Sequence, residues 1–308
     1  MANVKRAIIT GATGAIGTAL IENFIENGIV TLVLLRKDSP RNAVIPEHPL
    51  VVKKYCALDE LAGAENDTGE QYDVFYHFAW AGTSGAERQN MQLQLKNIQY
   101  ALDALALAKK YGCHTFIGAG SQAEYGRVEG KLTPDTPAFP ENGYGIAKLC
   151  AGYMTRELAA QLGIKHIWTR ILSVYGPNDN PKSMIPTAIE QWRNGKRTAF
   201  TKGEQLWDYL FSKDAAEAFR LIGEKGVGGK TYVLGSGKAV PLADYILCAA
   251  KALNAQELVD LGALPYAEKQ VMHLQADITE MTRDTGWTPK TSFEEGIRCT
   301  IQAAMNKN

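Results

Sequence analysis

Three sets of residues in this 308-residue chain carry groups that could do chemistry together. Tyr144 and Lys148 stand four apart, the spacing that puts two side chains on one face of a helix. An ammonium near a phenol favours phenolate and draws the phenol down from its ordinary value of about 10. Such a tyrosine can give a proton to an alkoxide or take one from an alcohol. Ser121, within Gly120-Ser121-Gln122-Ala123-Glu124-Tyr125-Gly126, offers a hydroxyl to the same oxygen. The third set is Gly11-Ala12-Thr13-Gly14-Ala15-Ile16-Gly17. Glycines so spaced, between an apolar strand and a helix, permit a tight turn and close backbone approach to a pyrophosphate. The helix N-terminus then faces the phosphates. Gly11, Thr13, Gly14, Ala15, Ile16 and Gly17 are therefore expected to contact a dinucleotide, and Ser121, Tyr144 and Lys148 to act on a carbonyl or alcohol by hydride transfer.

The end of the second strand bears on which dinucleotide. An acidic residue about 20 positions beyond the glycines would hold the ribose 2′-hydroxyl of NAD. Nineteen residues beyond Gly17 stands Arg36, followed by Lys37 and, nearby, Arg41. A guanidinium stacks on adenine and pairs with a 2′-phosphate, so NADP(H) is favoured. NAD(H) is the alternative, with Arg36 a solvated charge and Asp38 on the ribose.

The elements that must position these residues alternate strand and helix, the pattern of a parallel sheet with crossover helices. Strands are expected at Ala7–Thr10, Val30–Leu35, Val51-Val52, Val74–Ala79, Thr115–Ala119 and His166–Ile171. A helix follows the glycine turn and stops near Asn27-Gly28. Two longer ones run over Met91–Tyr111 and Tyr144–Leu162, the first with Ile98, Leu102 and Leu105 at helical spacing. After Tyr175-Gly176-Pro177 the alternation breaks around Pro181, Pro186 and Gly195, with a helix near Met184–Asn194. Strand and helix character returns at Phe211–Ile222 and Tyr232–Leu234 before a mostly helical tail. The expected fold is α/β: a Rossmann doubly wound parallel sheet with a smaller, discontinuous C-terminal substrate lobe. Residues 1–172 form the dinucleotide-binding domain, with about 205–235 returning to it; 173–204 and 236–308 form the lobe.

Composition narrows the class. Basic and acidic residues number 33 each, so no global field draws nucleic acid or an anionic membrane. No apolar run approaches the roughly 20 residues of a spanning helix, and no signal-peptide core opens the chain. Cys56, Cys113, Cys150, Cys248 and Cys299 are odd in number and scattered, as expected of ordinary thiols in a reducing cytoplasm. No metal site is expected. His48, His77, His114, His166 and His273 are equally dispersed, and His77 is expected to make structural hydrogen bonds.

Taken together the motifs resemble the extended short-chain dehydrogenase/reductase family, the sugar-nucleotide epimerases, dehydratases and reductases. The resemblance runs through Gly11/Gly14/Gly17, His77-Phe78-Ala79, Asn97, Ser121-x3-Tyr125-Gly126, Tyr144-x3-Lys148, Arg170-Ile-Leu-Ser-Val-Tyr-Gly-Pro177, Trp207-Asp-Tyr209 with Asp214, and Asp277 with Gly286-Trp287-x-Pro289. It implies that Ser121, Tyr144 and Lys148 form the catalytic triad. It implies that Phe78, Ala79 and Asn97 line the cofactor site, that the lobe after Ser173 holds a nucleotide sugar, and that the long helices pair in a homodimer.

Departures from the family pattern refine this. Its 4,6-dehydratases carry Asp-Glu directly after the triad hydroxyl; here Gln122-Ala123 stands there. Neither residue does acid–base work, so dehydration is not expected. Glu124, one position later, either touches substrate or orients the loop. Arginines that contact the diphosphate in many relatives give way to Trp207 and Ala267, leaving Lys182, Arg193, Arg197, Lys202 and Lys269 as candidate phosphate partners or plain solvated charges. The usual Asn before Val-Tyr-Gly is Ser173. Ser121, Gln122, Glu124, Ser173 and Trp207 are the expected substrate contacts. The Gly-Ser-Gln-Ala-Glu-Tyr-Gly and Trp-Asp-Tyr-Leu patterns look like the 4-keto-3,6-dideoxyhexose reductases. The resulting expectation is NADPH-dependent reduction of a nucleotide-linked 4-keto-deoxysugar with Tyr144 as proton donor. The alternative is an NAD-dependent sugar-nucleotide 4-epimerase using the same triad.

Overall fold

The computed structural model describes residues 4–67 and 69–306. Strands β1 (Arg6–Thr10), β2 (Val30–Leu35), β3 (Val51–Tyr55), β4 (Val74–His77), β5 (Thr115–Ser121) and β6 (Lys165–Ile171) are joined by helical or looped crossovers. Helices α1 (Ala15–Glu26), α2 (Met91–Lys110) and α3 (Gly143–Leu162) make three of those crossovers. Beyond β6 come β7 (Ser173–Tyr175), α4 (Met184–Arg193), β8 (Thr198–Ala199), β9 (Leu206–Trp207), β10 (Tyr209–Phe211), α5 (Ser212–Lys225) and β11 (Thr231–Leu234). Then follow β12 (Val240–Pro241), α6 (Leu242–Ala252), β13 (Val259–Asp260), α7 (Thr279–Thr285) and α8 (Phe293–Met305).

Seven strands form one parallel sheet in the order β11-β6-β5-β4-β1-β2-β3. Chain direction across the sheet reverses between β1 and β4, and the crevice beyond the carboxyl ends of these strands is where such sheets bind ligands. The central strands β4 and β5 are buried along their whole length, as strands covered on both faces must be. Edge strand β3 instead exposes part of its length and carries Lys53 and Lys54, which discourage pairing with another chain.

Apolar residues one helical turn apart fix the layers. Leu20, Ile21 and Phe24 of α1 join Ala215, Ala216, Phe219 and Ile222 of α5 in the cluster under one sheet face. Burying each large side chain contributes roughly 2 kcal/mol. Ala104, Leu105 and Ala108 of α2 and Ala159 of α3 cover the other face with Phe75 and Phe116. A separate cluster, with Ile185, Ile189, Trp192, Phe211, Ile246, Ile297 and Ile301 among its members, packs α4, α6 and α8 into the smaller lobe. Met281 and Trp287 belong to the sheet cluster, and the Trp287 indole donates to the Asp214 carbonyl at 3.0 Å. Helix α7 thus packs on α5 and the sheet layer although its sequence lies within 236–308.

The expected strand Val74–Ala79 ends at His77. Phe78 still donates its amide to the Thr10 carbonyl at 3.1 Å, but the Ala79 amide turns to the Thr10 hydroxyl at 3.3 Å, and both residues line the crevice beside the loop that follows β1. Among the described residues no helix is long and apolar enough to cross a membrane, no cluster of metal-ligating side chains occurs, and the five cysteines are free.

Candidate active site

The glycine loop lies at the β1–β4 crevice. Gly11 has φ +74°, and a Cβ there would come within 2.5 Å of the Ala79 amide nitrogen. Only glycine lets the β1 and β4 loops approach so closely. A cavity of about 340 Å³ opens beside it, lined by Gly11, Thr13, Gly14, Arg36, Phe78 and Ala79 among others. Shape and lining suit a dinucleotide: glycine backbone for the pyrophosphate, the start of α1, and Leu58 and Leu61 for an apolar ring. Ala15, Ile16 and Gly17 lie on the first turn of α1 and do not line the cavity.

Arg36 is exposed at the end of β2 and lines this cavity, as do Ser39, Arg41 and Asn42; Asp38 does not. Arg41 donates to the Thr13 carbonyl at 2.8 Å and the Asn178 carbonyl at 2.7 Å, tying the glycine loop to the turn after β7. Asn97 corrects an expectation. It is fully buried, its amide accepting from Ala81 N and donating to Ala81 O, both at 2.9 Å. It shapes the loop after β4 instead of lining the cavity.

Tyr144 and Lys148 sit in the first two turns of α3, which Asn142 starts by accepting from the Gly145 amide at 2.8 Å. Gly145 lets this helix meet the turn after β5, since a Cβ would lie 2.2 Å from the Ala123 carbonyl oxygen. Ser121 ends β5 on that turn, so the three expected catalytic residues converge. Their electrostatics differ from the expectation. Burial pushes Tyr144 above its ordinary value; a hydrogen bond with Ser121 and the charge of Arg88 draw it back in part. Burial pulls Lys148 down to about 7, against the pull of Glu124. The Lys148 amine donates to the Ala119 carbonyl at 2.5 Å and lies 3.8 Å from the Trp80 ring centroid, but 5.9 Å from that of Tyr144. The His77 imidazole is pushed down to about 3 by burial, neutral beside Thr10 at 2.9 Å.

Glu124 resolves to the orienting role. It is wholly buried; its carboxylate accepts from the Ser121 amide at 2.8 Å, the Trp168 indole at 3.1 Å and Arg170 Nε at 2.8 Å. A carboxylate so committed orients the turn that carries Ser121. Gln122 lines a second cavity of about 230 Å³ with Arg88, Asn142 and Lys269. Glu141 lines it too, held by two hydrogen bonds from Arg127. Ser173 and Trp207 meet each other, the indole donating to the hydroxyl at 2.8 Å. Of the five proposed phosphate partners, Lys269 reaches the second cavity. Lys182, Arg197 and Lys202 are exposed elsewhere, and Arg193 donates to the Ala304 carbonyl at 2.9 Å.

Sequence reasoning missed Trp80 and Arg88. Trp80 follows the matched His77-Phe78-Ala79 and packs edge-on to Tyr144, with its indole donating to Gln94 at 2.8 Å. An aromatic directly after a matched motif was the available signal. Arg88 lies on a short helical turn, Gly85–Gln89, inside an irregular loop whose sequence carries no periodicity. Its guanidinium stacks 4.2 Å from the Tyr144 ring centroid.

Comparison with known proteins agrees with this geometry. A family model described as the NAD dependent epimerase/dehydratase family matches residues 7–235. A dTDP-glucose 4,6-dehydratase of Neisseria gonorrhoeae is 25% identical, over 97% of this chain and 95% of its own. A UDP-N-acetylglucosamine 4-epimerase from Methanobrevibacter ruminantium M1, solved with UDP-N-acetylmuramic acid, superposes with a TM-score of 0.88 at 20% identity over 100% of both chains. DesIV, a dTDP-glucose 4,6-dehydratase from Streptomyces venezuelae solved with NAD, gives 0.83 at 19%, covering 98% of this chain and 97% of its own.

Proposed function

The chain belongs to the NAD dependent epimerase/dehydratase family of enzymes, and we propose that it reduces the 4-keto group of a nucleotide-linked deoxysugar with NADPH. Arg36 carries the reading. It lines the dinucleotide cavity at the end of β2, where a 2′-phosphate would meet a guanidinium, whereas Asp38 lies outside that lining. The dehydratase chemistry of some relatives is opposed by the side chains beside Ser121. Gln122 and Ala123 have no acid–base capacity, Glu124 is held by Arg170, and Glu141 is held by Arg127.

In this reading Lys148 would hold the nicotinamide ribose of a bound dinucleotide, whose chemistry there would be to supply a hydride, with its electron pair, to the keto carbon. Ser121 hydrogen-bonds the substrate carbonyl and keeps it in line with Tyr144. The Tyr144 O–H bond then breaks as its proton passes to the alkoxide, and the electron pair stays on the phenolate oxygen. Nucleotide sugars bound by structural neighbours support the substrate class. The free cysteines suit a reducing cytoplasm, and the exposed apolar residues of α2 and α3 suit a homodimer.

A 4-epimerase with retained NAD(H) would use the same triad, so cofactor retention separates the two. The purified protein is denatured, any released dinucleotide identified, and the stripped protein titrated with NADPH and NADH. An empty protein that binds NADPH at least tenfold more tightly is expected. Stoichiometric NAD(H) would overturn the reductase reading in favour of the epimerase.

A further inference from the structure

We propose that Arg88 is an electrostatic positioning residue for Tyr144: its guanidinium, stacked on the phenol ring, stabilises the negative charge left there when the hydroxyl gives up its proton. The inference rests on Tyr144 being the proton donor. The four-residue spacing assigns that electrostatic duty to Lys148, but the geometry divides it differently. Lys148 is drawn toward the Ala119 carbonyl at 2.5 Å and the Trp80 ring at 3.8 Å. Its nitrogen is 5.9 Å from the Tyr144 centroid, while the Arg88 guanidinium carbon is 4.2 Å from it.

A phenolate spreads its charge into the ring, so a cation over the ring face favours phenolate over phenol. Arg88 can hold this post at every working pH because a guanidinium does not lose its proton. A buried lysine close to neutrality carries its charge only part of the time. Arg88 forms no ion pair among the described residues, and its Nη1 donates to the Thr83 carbonyl at 3.2 Å, which anchors the side chain beside α3. The other charged or titratable groups about Tyr144 are Lys148 on the same helix and Glu124 on the β5 turn; His77 on β4 meets the charge of Lys148. Glu124 works against phenolate and is itself paired with Arg170. His77 is neutral.

The test reads Tyr144 directly and needs neither cofactor nor substrate, so it stands apart from the outcome of the reductase reading. A 3,5-difluorotyrosine placed at position 144 titrates at lower pH, where the fold survives, and its fluorine resonances report the ionisation. In this background Arg88→Met should move the midpoint up by about half to one and a half pH units. Arg88→Lys, which keeps the charge, should recover most of that shift, and Lys148→Met should move the midpoint less than Arg88→Met does. Arg88→Gln is the second neutral variant should the methionine protein fail to fold. An unmoved midpoint in a folded neutral variant, or a larger shift from Lys148→Met, would overturn the assignment.

Discussion

Lys148 shows how much a single residue depends on its surroundings. Its ammonium lies where water is excluded, held by one carbonyl and one indole face, and burial brings it to about 7 from the 10.5 of an exposed lysine. Between those values the unfolded chain binds a proton that the folded chain does not. Wild-type stability therefore gains from this residue as pH rises through that window, by at most about 1.4 kcal/mol per pH unit. Lys148→Met removes the group, so the variant should gain most on wild type at pH 7 and below. That advantage should shrink steadily toward pH 9 in paired denaturant titrations; a pH-independent difference would count against a buried, shifted lysine. Glu124 and Arg170 show the same dependence from the other side. In the sequence they are 46 positions apart, and nothing local announces that their charges neutralise each other inside the protein. Removing one partner would strand the other, the costly way to break a buried pair.

At the scale of elements, the β1–α1 turn separates two kinds of glycine that the motif treats alike. A Cβ on Gly11 would strike the Ala79 backbone, and its φ of +74° already disfavours any side chain. A Cβ on Gly14 meets only the Gly11 carbonyl oxygen at 3.8 Å, and its φ is −88°. Gly11→Ala should therefore cost roughly 3 kcal/mol of stability. Gly14→Ala should cost no more than about 1 kcal/mol, since it alters only a helix cap. It should nonetheless weaken dinucleotide binding, because the new methyl stands where the cavity brings a pyrophosphate against backbone. Thermal unfolding and cofactor titration on both variants check the contrast. Equal stability losses would mean that the loop serves packing at both positions. Helix α3 carries a comparable division of labour. Its first two turns present Tyr144 and Lys148 inward, while Ile146, Tyr153 and Met154 are exposed on its outer side.

For the whole molecule, α2, which packs against α3, likewise exposes Met91 and Leu95. An apolar surface of this kind on two adjacent helices is costly to leave in water. If it pairs two copies, the double variant Leu95→Lys/Tyr153→Lys should sediment as a monomer at micromolar concentration where wild type sediments as a dimer. A monomeric wild type would set the homodimer aside.

The sequence by itself determined the alternating core, the glycine loop and the placing of Tyr144 and Lys148 one helical turn apart. Each of these rests on a local period or a short spacing that survives in one dimension, whereas Ser121 reaches them only where the β5 turn meets α3. Tertiary structure alone decided that Asn97 serves its loop, that Glu124 is spent on Arg170, and that Trp207 closes on Ser173. It alone placed α7 on the sheet layer and Arg88 over the Tyr144 ring. Those facts depend on desolvation and on partners brought together from distant strands and loops, and both exist only once the chain has closed upon itself.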